Sequence, residues 1–268
     1  MLSIQKILLP VDFPLGSLDV IHQAAMLARH FHCEIVMLHV ASVQSRAAEP
    51  AGWDLLAAPE LEGITIRRMI AGGDPARAIV QVAEKEKADL IMMPSRGFTF
   101  DRFLLGWTRT KALTGPERPV WTGAYGEGSP VQKFAVRSVL CAVDLGPRSS
   151  DALAWAVPMA AEFDARLTLA HVTASAELWG PGGNYVNQRR QKALVDDASE
   201  RMARLQQDAG IAAEVFIGSG DVPQVLGQAV AQTKADLLVT GCNPYDGHLR
   251  SAHGYGIIRA VPVPVLNV

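Results

Sequence analysis

The stretch Asp89 to Trp107, DLIMMPSRGFTFDRFLLGW, concentrates the residues with most capacity for chemistry. Leu90 to Met93 is an apolar run too short for a helix and suited to a strand buried on both faces. A Ser95-Arg96-Gly97 turn follows, and Gly106 stands inside the next helical stretch. A strand, a glycine turn and a helix start make the shape in which backbone N–H groups converge on a phosphate. Arg96 can add a charge-assisted pair to such an anion. Asp12 and Asp144 each end an apolar run, where a carboxylate suits the capping of the turn behind it.

Other chemistry is thinly represented. His30, His32 and Cys33 lie close together, but alternate residues of an extended chain point to opposite faces and no second cluster completes four ligands, so no metal is expected. His39 and His171 sit at matched places and are read as structural. Cys242 has no lysine or histidine beside it in sequence to lower its pKa. No G-x-x-x-x-G-K-[ST] loop and no G-x-S-x-G elbow occurs, and no nucleophile–base pair stands out, so catalytic residues are not expected.

At 268 residues the chain is comfortable for two domains. Hydrophobic residues at 49% against 19% charged describe a well-buried globular protein. A net charge of −2 leaves no electrostatic footprint for nucleic acid or an acidic membrane. No apolar run approaches the roughly 20 residues of a membrane-spanning helix. The start, MLSIQKILLPVD, has its Lys inside the apolar run and an Asp after it, which reads as a strand and not as an export signal. Cys33 and Cys141 fall in or beside apolar segments and read as buried thiols, which makes a reducing cytoplasm the expected location.

The chain repeats itself. Ile7 to Asp12 matches Val139 to Asp144 and Leu38-His39-Val40 matches Ala170-His171-Val172, both at an offset of 132. Gly73-Asp74 matches Gly220-Asp221 and Ala88 to Ile91 matches Ala235 to Leu238, at an offset of 147. The 15-residue jump places an insertion in the second copy, over residues 175–196, where Pro181-Gly182-Gly183-Asn184 reads as a loop and a helix is expected from about Tyr185 to Ala209. The two units are assigned to residues 1–123 and 137–268, joined by a linker at 124–136 whose Gly/Ser/Pro-rich part runs from Gly123 to Gln132. In the first unit strands are expected at Ile4–Val11, Glu34–Val40, Ile64–Ile70, Leu90–Met93 and Pro119–Thr122, alternating with helices. Ser17 is placed to cap one of these helices, and Asp74 with Pro75 to start another. The second unit repeats the plan at Arg137–Val143, Ala165–Val172, Ala212–Ile217, Asp236–Thr240 and Pro264–Val268. Such alternation means parallel sheets with helices on both faces.

The repeated marks (Pro10-Val11-Asp12, Leu38-His39-Val40, Gly73-Asp74-Pro75, Ala88-Asp89-Leu90-Ile91, Pro119-Val120 and Pro264-Val265) resemble those of the universal stress protein family in its tandem form. The resemblance implies a Rossmann-like α/β fold with two open parallel five-stranded sheets, each in strand order 3-2-1-4-5. A ligand crevice then opens where the order reverses, between strands one and four. Members that bind ATP imply Pro10, Val11, Asp12 and Val40 as nucleoside contacts and Arg96, Gly97 and Gly106 as phosphate contacts. Asp144, Val172 and Gly241 are the second-unit counterparts. The family's phosphate pattern is G-x-x-G, nine residues, G-[ST]; here Pro94 replaces the first Gly, the spacer is one residue short and Trp107 replaces the hydroxyl residue. The second unit reads Gly241-Cys242-Asn243-Pro244, and Pro244 removes a backbone donor. These departures favour a stress-response protein that works through protein partners and carries degenerate adenine-nucleotide sites. An ATP-binding regulator using the first unit is the alternative, and a nucleotide phosphohydrolase stands last. Both fifth strands are apolar edges, expected to pair with each other as an intrachain pseudo-dimer, with a homodimer of the whole chain also compatible.

Overall fold

The computed structural model describes residues 2–11, 18–41, 53, 59–94, 118–124, 134–180, 183–241 and 256–268. In the first unit these form β1 (Lys6–Pro10), α1 (Leu18–Phe31), β2 (Glu34–Ala41), β3 (Ile66–Gly72), α2 (Pro75–Glu86), β4 (Leu90–Met93) and β5 (Val120–Thr122). The second contributes β6 (Ser138–Ala142), α3 (Ser149–Glu162), β7 (Arg166–Thr173), β8 (Glu177–Gly180) and β9 (Gly183–Val186). It continues through α4 (Gln188–Ala209), β10 (Glu214–Ser219), α5 (Val222–Thr233), β11 (Leu237–Thr240) and β12 (Val265–Asn267). A helical turn at 256–260 precedes β12.

Each half has the expected order, β3-β2-β1-β4-β5 and β10-β7-β6-β11-β12, but the halves share one ten-stranded sheet. The join is antiparallel, with Thr122 opposite Val265, Trp121 opposite Leu266 and Val120 opposite Asn267. Within each half the pairings are parallel. The expected pairing of the fifth strands is therefore present, and it uses up one edge of each half.

Strand alternation divides the core into two layers. Ile7 and Leu9 face the layer holding Ile21, Ala24 and Ala28 of α1 with Ala152, Ala156 and Met159 of α3. Leu8 and Leu140 face the layer of Ile79 and Ala83 of α2 with Leu226 and Ala229 of α5. The four strand residues Leu90–Met93 are all buried, as a central parallel strand requires.

Repeated residues do repeated structural work. Gly73 and Gly220 take φ of +111° and +124°, a region open to glycine, and turn the chain into α2 and α5. The Asp74 and Asp221 carboxylates then accept from the N–H groups of Arg77 and Gln224, at 3.1 and 3.2 Å, and cap those helices. Asp89 Oδ2 accepts from the N–H groups of Gln5 and Lys6, at 2.8 and 2.9 Å. Asp236 Oδ2 does the same for Arg137 and Ser138, at 2.9 and 3.1 Å. Each carboxylate satisfies donors at the start of the first strand of its half and ties that strand to the fourth.

The insertion differs from expectation. Its glycine-rich stretch is not wholly loop, because Gly183 and Asn184 open β9, which pairs antiparallel with β8 as a separate two-stranded hairpin. The helix starts later than expected, at Gln188, because Asn187 takes the capping position and accepts from Arg190 N–H at 3.1 Å. Gln191 anchors that first turn, donating to Ser219 Oγ at 2.6 Å and accepting from Ala176 N–H at 2.9 Å. Phe134 and Val136, in the stretch assigned to the linker, pack into the shared core, and the Phe134 ring meets Trp121 edge-on at 5.9 Å.

Candidate functional site

The crevice of an open α/β sheet lies at the carboxyl ends of the strands where the order reverses, between β1 and β4 in one half and β6 and β11 in the other. Pro10 ends β1, and Val11 follows it, buried. Val11 N–H donates to Leu38 O at 2.8 Å, and its carbonyl accepts from His39 Nδ1 at 3.1 Å. The second half copies this: Val143 N–H donates to Ala170 O at 2.9 Å and its carbonyl accepts from His171 Nδ1 at 2.8 Å. A carbonyl only accepts, so Nδ1 carries the proton in both rings. Each histidine thus fixes the end of strand one against strand two, the structural role expected. Val40 and Val172, next along, are half-buried beside these ends.

Asp144 is the site residue whose bonds to its own turn the structure describes. Its Oδ1 accepts from Gly146 N–H at 2.8 Å and from Ser149 Oγ at 3.0 Å. Leu145 adopts φ +58°, and its carbonyl accepts from Arg201 Nη2 of α4 at 2.7 Å. A Cβ at position 146 would lie 3.0 Å from Asp144 Oδ1, so a larger residue there would have to displace the carboxylate by a few tenths of an ångström. Asp144 therefore caps the turn leading into α3. Gly241 is exposed after β11, and a Cβ there would make only an ordinary 3.9 Å contact with Ala152, so space does not demand glycine.

Asp12, Arg96, Gly97 and Gly106 lie outside the described residues, as do Ser17, Trp107 and Cys242. The structure thus brings Pro10, Val11 and Val40 to one crevice and Asp144, Val172 and Gly241 to the other.

Among the described residues no group of His, Cys, Asp and Glu is arranged to hold a metal ion, and no helix is long and apolar enough to cross a membrane. Burial raises the Cys33 thiol to about 11 and the Cys141 thiol to about 12, which leaves both protonated and poor as nucleophiles. Sequence reasoning used Asp89 and Asp236 as marks of the repeat and missed what they bond; their shared offset was the available signal. Gln191 carried none, since it has no partner in the first unit.

A family model described as the universal stress protein family matches residues 3–122 and again 135–268. A universal stress protein of Methanocaldococcus jannaschii is 30% identical over 135 residues, covering 43% of this chain and 79% of that protein. Universal stress protein A of Escherichia coli is 34% identical over 110 residues, covering 40% of this chain and 76% of its own. Among solved structures, a universal stress protein from Archaeoglobus fulgidus superposes with a TM-score of 0.66 at 21% identity, over 99% of this chain and 97% of that one. A functionally unknown protein from Pseudomonas aeruginosa gives 0.70 at 14% identity, over 99% and 92%. These structural likenesses concern the fold.

Proposed function

Since the chain belongs to the universal stress protein family, we propose that it is a non-catalytic stress-response protein of the cytoplasm that works by contact with protein partners and does not depend on a bound adenine nucleotide. The observation that carries this reading is Asp144. A carboxylate serving a ribose offers both oxygens to the crevice, and one of the two here, Oδ1, is engaged by Gly146 and Ser149 of its own turn. In the first unit Pro94 stands where the phosphate pattern has its first Gly, and it has no N–H to give.

Calorimetric titration of ATP, ADP and cyclic AMP into the full chain tests the nucleotide half of the proposal. The expected result is no saturation up to about 1 mM, the weakest range of specific affinity. A saturable isotherm of one nucleotide per chain with micromolar dissociation overturns it in favour of a nucleotide-responsive regulator. The partner half is tested by sizing the protein in native cell extract. Elution at the mass of the free chain under every stress condition overturns that half.

A further inference from the structure

The two halves differ at their outer edges, which are β3 and β10 among the described residues. At β3 both flanks are occupied by long cationic side chains. Arg67 donates through Nε to Glu34 Oε1 at 3.0 Å and through Nη2 to Glu86, and Lys6 lies 3.6 and 3.7 Å from the same two carboxylates. On the opposite face the Arg68 guanidinium lies over the Trp53 ring, 5.7 Å from its centroid. Charged, engaged arginines on an edge strand discourage another strand from adding to it.

Across the 147-residue offset, Arg67 becomes Glu214 and Arg68 becomes Val215, while Glu86 becomes Thr233. Glu34 likewise becomes Arg166 at the 132-residue offset, and none of the ion pairs that cover β3 has a counterpart at β10 among the described residues. On one face a groove of about 370 Å³ runs under α4, lined by Val195, Ser199, Ala203, Val215 and Ile217. On the other a groove of about 320 Å³ lies beside the end of α5, with Arg166, Thr168, Glu214, Phe216 and Lys234 in its walls. Val215 is 43% exposed at this edge, and Ile70 of β3, at 47%, stands two residues along from Arg68, whose guanidinium lies over Trp53. Among the described residues Arg166, Glu214 and Lys234 form no ion pair, and the lining of the second groove holds two cations and one carboxylate.

An edge strand offers backbone hydrogen bonds, and side chains of an added strand alternate between its two faces. We infer that β10 takes up an extended segment of a partner protein as an eleventh strand, its aliphatic side chains entering the groove under α4 and its acidic side chains the groove beside α5. Charge complementarity selects the acidic residues, since Arg166 and Lys234 outnumber Glu214. The inference rests on the proposal that the protein works through partners, and it names where and by what chemistry.

Fluorescence anisotropy of a labelled short peptide alternating valine and glutamate, titrated with the full chain, tests it. The expected result is saturable binding, weakened at least about tenfold when the peptide alternates valine and lysine. Val215→Arg, which restores the residue type found at the sealed edge, abolishes binding, and Arg166→Glu reverses the preference between the two peptides. Circular dichroism on each variant confirms that it is folded. Equal binding of both peptides, unchanged binding in Val215→Arg or no binding up to about 1 mM overturns the inference. Dimerisation in sedimentation that Val215→Arg removes would assign the edge to a second copy and overturn it. So would slow hydrogen exchange in the isolated chain at the β10 amides that do not bond to β7, which would assign the edge to one of its own segments. Nucleotide binding by calorimetry bears on the proposed function and leaves the peptide result standing, so the two failures are separable.

Discussion

His30 and Glu162 stand at equivalent positions of the two repeats, 132 residues apart, and touch one another, Nε2 to Oε1 at 3.2 Å. Their neighbours Phe31 and Phe163 are also equivalent and meet edge-on at 6.1 Å, while the His30 ring stacks on Phe163 at 4.3 Å. In the sheet, Trp121 opposes its own equivalent, Leu266. Contact between equivalent residues is what a two-fold interface produces. The chain therefore contains a pseudo-dyad that passes through the β5–β12 pair and between the ends of α1 and α3.

A buried polar bond ties one strand of the seam to α1 of its own half. Trp121 is fully buried and its Nε1 donates to Gln23 Oε1 at 2.7 Å. Gln23→Ala strands that donor and should cost about 1–3 kcal/mol in urea unfolding. Gln23→Leu combined with Trp121→Phe removes both partners, and the coupling measured in a double-mutant cycle should recover much of the single-mutant loss.

Asp89 and Asp236 should behave alike despite lying in different halves. Each bonds two backbone N–H groups at the start of its own half's first strand. Asp89→Ala and Asp236→Ala should each lower stability by about 1–2 kcal/mol, the range for hydrogen bonds to a charged acceptor that is partly solvated. Chemical denaturation of the two variants checks this, and a large effect from one with none from the other would count against the matched role.

The Glu86 carboxyl is held below the ordinary range, first by its hydrogen bond to Arg67, then by the charges of Arg67 and Lys6. A lowered folded-state pKa stabilises the native chain above the unfolded value of 4.5, and that contribution disappears as pH falls through the lower folded value. The wild-type chain should therefore lose more stability than Glu86→Gln below about pH 4.5. Solvent screening at Arg67, 43% exposed, keeps the difference small. Thermal melts at stepped pH, wild type against variant, provide the measurement.

With Cys242 replaced by Ser, the native chain should be inert to a thiol reagent at mildly alkaline pH. Burial raises Cys33 to about 11 and Cys141 to about 12, so few thiolates form. Two equivalents should react once denaturant is added, and labelling of the native form would contradict the burial of these residues.

Most of the fold was legible because periodicity, punctuation and repetition agreed. Leu90–Met93 could be only a central strand, and Asp74-Pro75 announced a helix start in both propensity and chemistry. The insertion was misread because Gly182-Gly183 suits a loop and a hairpin turn equally, and pairing between β8 and β9 is a contact that local propensity does not encode. The crevice was legible as a place, through the strand ends Pro10 and Val11. The state of Asp144 was not, since capping and ligand binding ask for the same residue type and only the closing of the turn on Gly146 separates them. The open edge at β10 was hidden too, because Arg68 and Val215 are each unremarkable until the offset sets them side by side.

Joining the two halves in one chain has a consequence for valency. In an assembly of two identical subunits every substitution occurs twice, so both outer edges must be open or both sealed. Two open edges can bridge partners into strings, whereas two sealed edges bind none. Here a residue can change at 215 without changing at 68, and the covalent pair escapes that constraint. With a partner strand taken up at β10 alone, as proposed above, the molecule is monovalent along the sheet, a stopper at the end of a partner's strand and not a link between two.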